Sequence, residues 1–132
     1  MRRRAVALVV LAATMVSLAL LPGAQAAEDV IARGTFTGAS GHKTSGGASL
    51  VRSDAGVMVV LEQDFSLDGA PDPRVGLGRD GAYDAKTQLA PLGADKGRQT
   101  YPIPASVDPA AYNEVYIWCE KYSVPLGVAK LK

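Results

Sequence analysis

Ser53-Asp54-Ala55-Gly56-Val57-Met58-Val59-Val60-Leu61 is the stretch that decides the fold. Its first four residues favour a turn: Ser and Asp side chains bond nearby backbone, and Gly accepts a positive φ without steric cost. The five that follow are apolar on both alternations, so a strand built from them has two faces to cover. A turn leading directly into such a run predicts a β-hairpin with the segment before it, and a central place in the sheet for the run itself.

Outward from that hairpin, short β-favouring runs recur between Gly, Pro, Asp and Ser. They predict strands at 32–37, 46–52, 57–65, 74–78, 87–92, 99–103, 115–119 and 124–131. Short strands at this spacing, with no internal repeat, predict an all-β fold: a single antiparallel β-sandwich or barrel-like domain. One helical turn is expected at 108–113, where Asp108 caps, Pro109 suits the first helical position and Ala110-Ala111 continue. In Val115-Tyr116-Ile117-Trp118-Cys119, alternation puts Val115, Ile117 and Cys119 on one face, with Tyr116 and Trp118 on the other. The aliphatic company marks the Cys119 face as the core face.

Ahead of the strands, Arg2-Arg3-Arg4 precede an apolar run, Pro22-Gly23 break it, and Ala24-Gln25-Ala26 follow. Cations, an apolar helix and a small-x-small ending are the three parts of a cleavable signal peptide. The run, about 17 residues, sits at the lower edge of what spans a bilayer. The expected organisation is a signal peptide over 1–26 and one β domain over 27–132. The expected product is secreted or extracytoplasmic, with no membrane contact after cleavage. Net charge is +1 for the full chain, and losing the three leader arginines takes it to −2. That balance, with no basic cluster, argues against a nucleic-acid partner.

Cysteine appears once, as Cys119, so no intramolecular disulfide can form. A lone cysteine in an exported chain is buried and inert, paired with another molecule, or chemically used. One histidine, His42, is too few for a blue-copper centre, which needs two with a cysteine. Covalent c-type haem needs Cys-x-x-Cys-His and iron–sulfur clusters need several cysteines. No metal or cofactor is therefore expected on the chain's own ligands. Electrons passing through it would use Cys119 or the aromatic group Tyr101, Tyr112, Tyr116, Trp118 and Tyr122, or a partner's cofactor. Asp64, Asp68 and Asp72 offer oxygen ligands for a hard cation, without the spaced loop that calcium sites show. No nucleophile-elbow pattern is present, and no catalytic residue is assigned.

Taken together, the chain resembles the DM-thirteen domain, a small exported module associated with electron transfer. The residues that carry the likeness are Gly34-Thr-Phe-Thr-Gly38, Gly41-His42-Lys-Thr-Ser-Gly46, Leu61-Glu-Gln-Asp64-Phe65, Ala70-Pro71-Asp72-Pro73, Gly97-Arg-Gln-Thr-Tyr101-Pro-Ile-Pro104, Tyr112-Asn-Glu-Val115-Tyr-Ile117-Trp118-Cys119 and the tail from Tyr122 to Leu131. Tyr122 and Leu126 stand where the family usually has its aromatics after the cysteine and near the end. The resemblance implies an all-β fold and a redox role centred on Cys119. It also implies a partner, since the module accompanies cytochrome-type domains in multidomain relatives. Trp118, His42, Asp64 and Tyr101 are the candidates for shaping such a site. The competing expectation is a ligand- or protein-binding surface module in which Cys119 is only core, a role free cysteine often takes.

Overall fold

The computed structural model describes residues 28–132, with Ser17 and Ala19 as isolated positions; apart from those two, the expected signal peptide lies outside the described residues. Eleven strands follow one another: β1 (Asp29–Gly38), β2 (Thr44–Ser45), β3 (Gly47–Ser53), β4 (Gly56–Leu61), β5 (Ser66–Leu67), β6 (Pro73–Arg79), β7 (Ala82–Asp84), β8 (Ala90–Pro91), β9 (Gln99–Pro102), β10 (Glu114–Cys119) and β11 (Val124–Lys130). Nine of them form one antiparallel sheet in the order β7-β6-β10-β11-β1-β3-β4-β9, with β8 also on β6, while β2 and β5 pair separately. No helix of the described residues is long and apolar enough to cross a membrane.

The sheet curls because β1 serves both halves. Its first part, from Asp29 to Thr35, pairs with β3, and Phe36 to Gly38 pair with β11. One strand feeding two ladders turns the sheet into a half-barrel around a shared core. Phe36 meets Phe65 edge-on inside, with centroids 5.4 Å apart at 62°. Val59, Leu61, Val75, Leu77, Val115, Ile117, Leu126 and Ala129 fill the rest, all buried.

The hairpin forms where expected, with Ser53 opposite Gly56 and Arg52 opposite Val57. Strand β4 lies next to the edge rather than at the centre, but both of its sides are paired, and Val59, Val60 and Leu61 are all buried. It ends at Leu61, four residues short of the expected 65, because Phe65 N–H bonds back to Glu62 O at 3.0 Å and closes a turn. The expected strand 87–92 shrinks to β8. Ala85–Thr87 form a 3-10 turn instead, with the Thr87 hydroxyl buried and bonded to Leu77 N, Leu77 O and Asp84 O. The helical turn is a 3-10 turn at Pro109–Ala111, capped by the Asp108 side chain on Ala110 N.

Candidate functional site

Cys119 closes β10, opposite Pro73 of β6 and Val124 of β11. Alternation sends its side chain inward with Val115 and Ile117, and it is 1% exposed. The thiol is not without a polar neighbour: Sγ donates to Pro71 O at 3.2 Å. Pro71 and Asp72 are themselves exposed, so the group facing the sulfur from outside belongs to a surface loop. Asp72 holds that loop down. Its carbonyl accepts Glu120 N–H at 3.1 Å, and its carboxylate accepts Arg74 Nε at 2.8 Å. Asp72 does this from φ +47°, a conformation that Asp tolerates better than most residues.

The opposite face of β10 is aromatic. Tyr83, on the edge strand β7, stacks on Trp118 with centroids 4.2 Å apart and planes at 15°. It also meets Tyr116 at 5.5 Å. Two glycines of β6 make room. A methyl on Gly76 would lie 2.6 Å from Tyr83 Cε2, and one on Gly78 would collide with Tyr116 and the Ala82 carbonyl. These rings wall a groove of about 630 Å³, completed by Pro125 and Val128 of β11 and Thr35 and Thr37 of β1. At one end Glu114 accepts Gly81 N–H at 2.6 Å, with Lys130 opposite it across the ladder. Burial, with the carboxylates of Glu120 and Asp84 nearby, pushes the Tyr83 phenol up to about 12. Its hydroxyl is buried with no hydrogen-bond partner, alone in this among the described residues.

Of the residues expected to shape a thiol site, Trp118 adjoins Cys119 in the chain but faces away from it. The others find partners elsewhere. His42 Nδ1 lies 2.9 Å from Asp68 Oδ1, and Asp68 also accepts Lys43 N–H at 2.9 Å. Those contacts, the Lys43 amide first, hold the Asp68 carboxyl below its usual range. Asp64 accepts Gly47 N–H at 2.9 Å. Tyr101 donates to Gln99 Oε1 at 2.6 Å and accepts Gly93 N–H at 3.0 Å, and burial raises its pKa. Asp64, Asp68 and Asp72 thus serve separate sets of partners. No group of three or more His, Cys, Asp or Glu among the described residues is placed to hold a metal ion.

Tyr83 and Glu114 are the site residues that sequence reasoning missed. A signal for Tyr83 exists in Val75-Gly76-Leu77-Gly78, where glycine at alternate positions strips one strand face of side chains. Such a face is where something else approaches closely.

No curated relative and no solved structure matches the chain. A protein family does, described as electron transfer DM13, over residues 35–131. That span runs from the middle of β1 to the end of β11 and includes Cys119 and the aromatic groove. The chain belongs to the electron transfer DM13 family.

Proposed function

We propose that this electron-transfer domain works outside the cytoplasm and exchanges reducing equivalents with a partner protein through Cys119. The observation that carries the reading is the contact between Cys119 Sγ and the carbonyl of exposed Pro71 at 3.2 Å. The one thiol of the chain is sealed at rest but lies beneath a surface loop, so local opening of residues 69–72 uncovers it without dismantling the sheet. The opened thiol gives its proton to water, and its sulfur attacks one sulfur of a partner disulfide. The other partner sulfur leaves as a thiolate and takes up a proton, which yields a mixed disulfide. Native protein incubated with oxidised glutathione should gain one glutathione by mass, and the Cys119→Ser variant should gain none. A folded protein that stays unmodified while its unfolded chain is modified would end this reading.

The second reading, a binding module with a purely structural cysteine, draws on the 1% exposure of Cys119 and its place among core residues. Under it, the working surface is the groove on the far side of β10.

A further inference from the structure

We propose that the groove on the outer face of β10 binds an uncharged, flat conjugated ring bearing carbonyl oxygens, laid against the Tyr83–Trp118 pair. This goes beyond the thiol reading and does not depend on it, since Trp118 and Cys119 face opposite sides of the sheet.

Size comes first. About 630 Å³ lies within the range of small-molecule sites, which are mostly apolar with a few placed polar groups. The walls are of that kind, with Tyr116, Trp118, Pro125 and Val128 presenting carbon. Flat rings are matched to such walls by stacking, and Tyr83 on Trp118 at 4.2 Å demonstrates the spacing within the protein itself.

The polar groups select further. Thr35 and Thr37 lie exposed along one side, with hydroxyls able to donate. The Tyr83 hydroxyl has no acceptor, and an unmade hydrogen bond at a buried donor is costly. Tyr83 lines the groove, so its hydroxyl is the donor there that a ligand carbonyl would match. Glu114 and Lys130 face each other across the β10–β11 ladder, so opposite charges balance at the groove's end and favour a ligand without net charge. A sugar fits less well, because several of its hydroxyls would meet Val128, Pro125 and ring carbon with no partner.

Trp118 is the only tryptophan of the chain, so its indole N–H signal in nitrogen-15 NMR reports on the groove alone. The probe is 2,3-dimethyl-1,4-naphthoquinone, whose substituted ring does not add thiols. A saturable shift of that signal is expected, lost in Val128→Glu, which places a charge in the groove. Should that variant not fold, Thr37→Glu, on an exposed position, makes the same test. Tyr83→Phe keeps the stack and should weaken binding about three- to tenfold, as one neutral hydrogen bond does. No saturable shift up to the probe's solubility, or an equal shift in the blocked variant, would overturn the proposal. A saturable shift with cellobiose and none with the quinone would overturn it as well.

Discussion

Cys119 and Pro71 stand 48 residues apart in the chain, yet the thiol of one donates to the carbonyl of the other at 3.2 Å. The neighbouring Asp72 ties the loop to Glu120 and to Arg74. The sulfur thus has a few polar bonds of an exposed loop on one side and the core residues Val115 and Ile117 on its own strand face.

Asp72→Ala removes the carboxylate that holds Arg74 and puts an alanine at φ +47°. Exposed pairs contribute little, so global stability should fall by about 1 kcal/mol or less. Opening of the loop should become about two- to fivefold more frequent, since 1.4 kcal/mol is tenfold. Urea denaturation measures the first quantity and the rate of Cys119 alkylation the second. An unchanged alkylation rate would mean that the loop does not control access.

Gly78→Ala sets a methyl against the Tyr116 ring and the Ala82 carbonyl. Tyr116 is 3% exposed and the carbonyl is backbone, so neither gives way easily. Overpacking of this kind costs about 1–3 kcal/mol. The melting temperature should drop, and the fluorescence of Trp118 should change as Tyr83 is displaced from it. Gly76→Ala meets only the far end of the Tyr83 ring and should cost less.

The Asp68 carboxyl has its pKa lowered in the fold, first by the Lys43 amide and then by His42. A carboxyl with a depressed folded pKa contributes stability that is present above its unfolded value, near 3.8, and lost as pH falls through the folded one. Urea midpoints should decline as pH is lowered through about 4 and below, the carboxylate range. In Asp68→Asn part of that acid decline should vanish. The same slope in both proteins would show that the contact with His42 and Lys43 carries no linkage.

Much of this architecture was legible in the residues. The 53–56 turn and the double-sided apolar run after it predicted the hairpin, because turn chemistry and periodicity are local properties. The face on which Cys119 lies was legible for the same reason, as side chains in β10 alternate. Strand ends were harder: Leu61 stops β4 because Glu62 and Phe65 close a turn, and a β-favouring Phe65 disguises that. The groove was illegible as a unit, since Tyr83 and Trp118 meet across 35 positions through a sheet order that no local pattern encodes. His42, named only as a candidate for shaping the thiol site, pairs with Asp68 because two polar loops come together there.

The most direct measurement is the rate at which a maleimide labels Cys119 in the folded protein, followed by mass against increasing urea. Access through the 69–72 loop predicts labelling faster than global unfolding, at a rate flat in low urea, where only a small local opening is needed. Labelling that matches the global unfolding rate and rises steeply with urea from the start would contradict it, and Cys119 would then be a core residue alone.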